Sequence, residues 1–430
     1  MSNRFERVAV GSQVHFSHIP DPKFKHNLIS ANFIMPLRAD TASDNAVVPY
    51  ILRKGSRTCP DFSALNARLN ALYGAAMNTG VTRINGYQIL SVAIRALDSR
   101  FALENEDIAA ECAALLASVV LDPKLVANGF FDEKDTALER QFIIDSIQSE
   151  INDKRTYAIA RCMQTMCAGE PVAVRRYGDM ATAEKITPES AYKAYRNMLD
   201  TANIEIMFTG SGKPETAKKI FSDAFGRAAR NAPNYALIPL RTTAETVREK
   251  TERMQLSQSK LVMGLRTGAI HDDEALFAMR MCTALLGGTP FSKFFLNVRE
   301  KLSLCYYCAA NFDMFNRILL IDSGIEAQNK QKAQDEILRQ IKAVQDGDFT
   351  DDELGNTKLL VKNALTTATD SPGSMENWYI SQTMRGRSRT PGEEAAIMDA
   401  LTREQIIAAA QKISLDTIYF LTGDDQEGQA

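Results

Sequence analysis

Apolar and polar positions alternate in short runs at the start of the chain, at Val8–Val10 and Val14–Phe16. A longer, more continuously apolar run extends from Leu28 to Met35. Such runs predict strands, the longer one the more buried. Asp40 to Asn45 is polar and offers Ser43 or Asp44 as a helix N-cap, so Ala46 to Leu52 reads as a helix in spite of Pro49. After Pro60-Asp61, the residues Phe62, Leu65, Leu69 and Leu72 recur at helical spacing and predict a helix with one apolar face. Strands are expected at Ala76–Arg83 and Ile89–Leu97, and helices at about 105–120, 132–153 and 154–168. A further strand spans 201–209, then Gly210-Ser211-Gly212, then a helix from Pro214 to about Arg230.

Residues 229–246 lack helical periodicity and contain Asn231, Pro233, Asn234 and Pro239, which predicts a linker. Beyond it the order of elements repeats. Leu261–Arg266 echoes Phe33–Arg38, and a polar turn with Asp272 and Asp273 follows, as Asp40–Asn45 did. Helices are expected at Ala275–Leu286 and Phe291–Glu300, strands at Cys305–Phe312 and Ile318–Ile325, and helices at 328–345, 352–369 and 403–413. A strand at Asp416–Thr422 closes the series. Two copies of a strand-helix-helix-strand-strand-helix unit fit this order. The alternative is two unrelated α+β domains.

A chain of 430 residues exceeds one ordinary core and suits two domains, here 1–228 and 247–430. A net charge of −3 gives no attraction for a polyanion, which argues against nucleic acid or an anionic membrane as partner. No run approaches the length of a membrane span, and the first residues lack the apolar stretch of a secretory signal. The seven cysteines are scattered, as expected of free thiols in a reducing compartment, and the expected location is the cytoplasm.

Two stretches carry a family resemblance. Leu285-Leu-Gly-Gly-Thr-Pro-Phe-Ser-Lys-Phe-Phe-Leu-Asn-Val-Arg-Glu-Lys-Leu-Ser-Leu-Cys-Tyr306 resembles the C-terminal-half signature of the insulinase/pitrilysin-type, or inverted zincin, peptidases. Leu52-Arg-Lys-Gly-Ser-Arg57 and the helix from Asp61 to Tyr73 resemble the segment that follows the zinc helix in active members. The resemblance implies an α+β fold of two similar halves, each a mainly antiparallel sheet covered by helices. These halves would face each other around a cavity, as in mitochondrial processing peptidase. Residues 1–228 would then be an N-terminal peptidase-like domain with a degenerate zinc motif, and 247–430 its C-terminal counterpart.

Active members carry His-x-x-Glu-His on the first helix. Two histidines on one helical face bind zinc, and the glutamate activates water. The matching positions here are Ala46, Pro49 and Tyr50, and the expected third ligand falls on Ser146, beside Asp145. The interval between Tyr50 and Ser146 is longer than in the family. No histidine lies between His26 and His271, so the loss does not depend on register. Glu139 matches an upstream acidic residue of the family. No metal is therefore expected in this chain, and no cofactor; zinc would belong to a partner. The other histidines offer no site: His15 and His18, three apart on a strand, point to opposite faces, as Cys305 and Cys308 of the lone Cys-x-x-Cys are also expected to. Gly210-Ser211-Gly212 is too short for a dinucleotide fingerprint.

Arg299 and Tyr306 match an Arg/Tyr pair, seven apart, that in the family reaches the zinc cavity to position the substrate carbonyl and stabilise the oxyanion. Tyr307 is a neighbouring decoy. Taken alone, an arginine at a helix end is usually a solvated charge, and a tyrosine in an apolar strand is usually core. Some bacterial relatives are two-chain enzymes in which one subunit carries zinc and the other carries this pair. The resemblance thus implies a zinc-less subunit that lends Arg299 and Tyr306 to a zinc-bearing homologue acting on peptides. The alternative is a pseudo-peptidase that only binds peptide or scaffolds an assembly, with a homodimer as a further arrangement. The segment Ala76–Arg83 corresponds to the edge strand on which the family binds extended peptide.

Overall fold

The structure is a computed structural model and describes residues 5–226, 229–234, 238 and 241–423. It divides into two compact units. One comprises 1–148, 174–238 and 368–388; the other comprises 149–173, 239–367 and 389–430. A single cut at 229–246 would assign 149–173 to the first half and 368–388 to the second, and each segment belongs instead to the other unit. Of that expected linker, residues 235–237, 239 and 240 lie outside the described residues. Its first part is tied to the first unit, where Arg230 donates to Leu199 O and Asn203 donates to Pro233 O.

The first unit is built on six strands: β1 (Glu6–Gly11), β2 (Val14–Pro20), β3 (His26–Pro36), β4 (Ala76–Ile84), β5 (Tyr87–Leu97) and β6 (Asn203–Gly210). Their order is β1-β2-β6-β3-β5-β4. Only β2 and β6 run parallel; the other neighbours are antiparallel. The register pairs Phe33 with Leu90, Ala31 with Val92 and Ile29 with Ile94, and all six enter one apolar core under the helices. The alternate residues Ser30 and Asn32 therefore point to the opposite face, which the helix Pro372–Met384 covers. A strand that reads as nearly continuous apolar sequence thus buries an apolar set on one side and a polar set on the other.

The second unit holds β7 (Arg248–Arg253), β8 (Ser259–Arg266), β9 (Cys305–Asp313), β10 (Ile318–Ile325) and β11 (Ser414–Thr422), in the order β7-β11-β8-β10-β9. Here β7 and β11 are the parallel pair. Setting β1 aside, the two sheets have the same order and the same single parallel pairing, so the repeat seen along the sequence is a repeat of topology. The fold is α+β, with two mainly antiparallel sheets covered by helices.

The helix Lys154–Met166 lies on this second sheet. Gly264 of β8 admits it, because a Cβ there would sit 2.6 Å from Met166 Sδ. The fully buried Arg266 anchors its end. It donates to Asp416 Oδ2 at 2.8 Å, Glu170 Oε1 at 2.9 Å and Met166 O at 3.0 Å. Three acceptors around one planar guanidinium satisfy a charge that would be costly to bury alone.

Several helices end differently from expectation. The first spans Ala42–Leu52 with Thr41 at its N-cap position. Ser43 and Asp44 are not caps: Ser43 Oγ bonds Tyr177 O at 2.7 Å, and Asp44 accepts from Ser190 Oγ at 2.6 Å. The helix after β6 spans Glu215–Phe225. In the second unit, wide π-helical turns form at Ala284–Gly288 and Phe294–Lys301. Among the described residues, no helix is long and apolar enough to cross a membrane.

Candidate functional site

Ala46, Pro49 and Tyr50 sit together on the Ala42–Leu52 helix, all buried. Ala46 has no donor atom for a metal. Pro49 lacks both a side-chain base and an N–H. The Tyr50 ring packs against Phe142 with centroids 4.7 Å apart, and its hydroxyl meets the Tyr177 hydroxyl at 3.0 Å. Burial, together with Tyr177, pushes the Tyr50 phenol well above its usual range, so it stays neutral. Ser146 spends its hydroxyl on Phe142 O at 2.7 Å, one turn back on the Glu133–Ser149 helix. Glu139 is buried and forms an ion pair with Lys54 at 2.5 Å.

These residues do not fit a zinc ion, which takes three protein ligands from His, Cys, Asp or Glu and keeps an open position for water. The place where such a site would form is filled by the Tyr50–Phe142–Tyr177 aromatic cluster, with Lys54–Glu139 beside it. Among the described residues, no three His, Cys, Asp or Glu side chains gather as a metal ion would need. His15 and His18 lie on opposite faces of β2. His15 faces Glu205 at 3.6 Å and is pushed down to about 4 by burial and by Arg7. His18 packs edge-on against Phe208 and is lowered by burial. His26 opens β3, and His271 precedes the helix Asp273–Thr283. Gly212 N–H donates to Asn27 Oδ1 at 2.9 Å, so the Gly210-Ser211-Gly212 turn closes on a side chain of its own sheet.

In the second unit, Arg299 and Tyr306 line one open depression of about 450 Å³, with Glu300, Ser303, Leu304, Cys305, Glu326 and Asn329. Tyr306 is 60% exposed. The Arg299 guanidinium stacks over Phe295 at 4.7 Å and lies 3.5 Å from Glu300. Tyr306 is therefore not the core residue that a tyrosine in an apolar strand usually is, whereas exposed Arg299 beside Glu300 also fits an ordinary solvated charge at a helix end. Tyr307, by contrast, is half-buried beneath the guanidinium of Arg155 at 4.4 Å and serves packing. The Gly287-Gly288 pair has a local cause: a Cβ on Gly287 would lie 2.7 Å from Ala310 N and 2.6 Å from Phe294 Cδ2. Glycine therefore lets the end of one helix touch β9, the strand that carries Tyr306.

The Cys-x-x-Cys expectation is overturned. The β9–β10 register pairs Tyr307 with Gly324 but Cys305 with Ile325, leaving Tyr306 as an extra bulged residue. The bulge shifts the alternation by one, so Cys305 and Cys308 share a buried face, close enough for each thiol to bear on the other's proton. That contact lowers Cys305, and burial raises Cys308. The same bulge turns Tyr306 outward. Sequence reading missed this because strand alternation assumes an unbroken ladder.

Residues 185–360 match the peptidase M16 inactive domain. A Bacillus subtilis protein described as a probable inactive metalloprotease, YmfF, is 27% identical over 406 residues, covering 94% of both chains. The chain is thus similar to M16-type peptidases that lack activity, along nearly its whole length in the Bacillus relative and over 185–360 in the domain match. The positions that match the zinc motif of active relatives hold Ala46, Pro49, Tyr50 and Ser146 instead of His, Glu and carboxylate ligands. A conserved protein from Enterococcus faecalis superposes with a TM-score of 0.90 at 25% identity, covering 99% of this chain and 100% of that one. The crystal structure of a peptidase M16 inactive domain from Pseudomonas fluorescens shares the fold, with a TM-score of 0.77 at 16% identity, covering 99% and 100%.

Proposed function

We propose that this M16 homologue is the non-catalytic subunit of a two-chain zinc peptidase and lends Arg299 and Tyr306 to a zinc-bearing homologue acting on peptides. The observation that carries the reading is the exposure of both side chains in one open depression, Arg299 from the Phe294–Lys301 segment and Tyr306 from a strand whose bulge turns it outward. The same segment leaves Phe291, Leu296 and Leu302 exposed, apolar surface of the kind a partner covers. In this role Arg299 offers a planar fork of N–H donors and Tyr306 an O–H donor. Both would stabilise negative charge as it develops on the scissile carbonyl oxygen. The chemistry of water activation belongs to the partner, since Ala46, Pro49, Tyr50 and Ser146 offer nothing to a metal.

Affinity purification of the tagged chain from its own cells, followed by mass spectrometry, tests the pairing. Stoichiometric recovery of a homologue carrying His-x-x-Glu-His is the expected result. In the reconstituted pair, Arg299→Ala and Tyr306→Phe lower peptide cleavage by roughly one to three decades while leaving assembly intact. Recovery of the chain alone or as a homodimer sinks the reading.

A further inference from the structure

A cavity of about 610 Å³ lies within the first unit, on the sheet face opposite the main apolar core. Its walls come from β3, β4 and β5 and from residues 370–380, which include the start of the Pro372–Met384 helix. Its size suits a small organic molecule. Its lining is chemically two-ended. At one end stand Lys25, His26 and Arg95, where β3 begins and β5 ends. Lys25 and Arg95 are exposed, and among the described residues neither has an ion-pair partner. At the other end Glu376 is only 7% exposed. Its Oε1 accepts from Asn32 at 3.3 Å, and its Oε2 has no hydrogen-bond partner. Arg95 pairs with Leu28, four residues before Asn32 on β3, so the two ends lie about 13 Å apart along the strand.

Glu376 Oε2 is buried without a hydrogen bond of ordinary length, so the carboxyl is short of a donor even with Ser30 and Asn32 beside it. The terminal torsion of glutamate is soft, so the carboxyl can turn to meet a donor entering the cavity. Asn32 is already fixed by Ser91, which donates to its Oδ1 at 2.6 Å, and it cannot turn to supply a second donor. Between the ends, Asn78, Thr82, Ser91 and Asn377 give polar contacts without charge.

We propose that this cavity binds a small zwitterion, with a primary ammonium held by Glu376 and a carboxylate held by Lys25 and Arg95. The site is separate from the Arg299/Tyr306 depression and does not depend on the proposed pairing. Binding transfers no covalent bond. The only proton to move is the one on Glu376, which an incoming ammonium displaces to solvent. The groups that bear on this proton are Ser30 and Asn32 of β3, with Glu205 of β6, itself paired to Arg7, behind Asn32. Lys25, His26, Arg95 and exposed Asp370 face the cavity from its walls.

Isothermal titration calorimetry on the full chain tests the site. The probes are ω-aminocarboxylates of increasing chain length, with the matching alkylamines and alkylcarboxylates as controls. At about pH 6, in two buffers of different ionisation heat, an ω-aminocarboxylate binds with release of close to one proton, and that release vanishes by about pH 8. Glu376→Gln weakens binding at least tenfold and abolishes proton release, and its melting curve verifies that it is folded. Lys25→Ala with Arg95→Ala weakens the aminocarboxylate towards the affinity of the plain amine. Failure of the whole series to bind, or equal binding by the Gln variant, overturns the proposal.

Discussion

Glu376→Gln also makes a stability prediction that needs no ligand. Burial holds the Glu376 carboxyl up at about 7, against an ordinary value of 4.5, with Ser30 and Asn32 offsetting only part of that cost. The folded state therefore keeps a proton that the unfolded chain releases. Stability falls as pH rises from about 4.5 through about 7 and is flat above, because unfolding in that window releases a proton. A difference of about 2.5 units corresponds to about 3 kcal/mol. Glutamine cannot ionise and mimics the neutral acid in shape. The variant should match the parent near pH 4.5 and exceed its stability by about 3 kcal/mol at pH 8.

The assay is urea unfolding followed by the fluorescence of Trp378, the single tryptophan, two residues away on the same helix. It reports on the unit that contains the substitution. His15 also has a shifted value, but it is the same in both proteins and makes no contact with Glu376, so its contribution cancels in the difference. A stability difference that does not grow with pH, or a variant less stable than the parent at pH 8, refutes the reasoning.

Truncating Arg266 to Ala strands the buried Asp416 and Glu170 carboxylates and should cost about 3–5 kcal/mol, read as a large loss of thermal stability in the second unit. Installing histidines at Ala46 and Tyr50 supplies only two ligands, so zinc measured after gel filtration should remain far below one equivalent. The same change removes the Tyr50–Tyr177 bond and the Phe142 contact and should destabilise by about 2–4 kcal/mol, visible in the melting temperature. Because the bulge puts Cys305 and Cys308 on one face, a trivalent arsenical should bridge them in the native protein, seen by intact mass, and Cys308→Ser should abolish the bridge. Thiols pointing to opposite faces would give no bridged product. Gly287→Ala should lower stability and disturb the Tyr306 strand, detected as altered hydrogen exchange across Cys305–Asp313, since its Cβ would meet β9 backbone.

Much of the architecture was legible in the sequence because it rests on local periodicity. The central strands β3 and β8, the hairpins that follow them and the long helices all carry their own apolar patterns, and the loss of the zinc ligands needs only residue identities. Three kinds of feature were not legible from that pattern. The helices Pro188–Thr201, Pro372–Met384 and Pro391–Asp399 went unread, although each announces itself by a Thr-Pro or Ser-Pro start, with Thr187, Ser371 and Thr390 accepting from the backbone N–H three residues on. Strand β7, Arg-Glu-Lys-Thr-Glu-Arg, has no apolar alternation; its pairing with β11, rather than any side-chain pattern, makes it a strand.

The remaining features belong to tertiary structure alone. Assignment of 149–173 and 368–388 to units other than their sequence neighbours' follows from contacts made far along the chain, such as Arg266 with Glu170 and Asn32 with Glu376. The β9 bulge is set by the partner strand's register, and it alone decides that Tyr306 faces outward while two cysteines meet behind it. A local pattern records which face of an element prefers water. It does not record what the other elements bring to that face, so the sequence determined the family resemblance, the fold class and the residues that stand at the zinc-motif positions. Only the three-dimensional packing decided that an aromatic cluster fills that site and that a buried carboxyl borders a cavity on the opposite face of the first sheet.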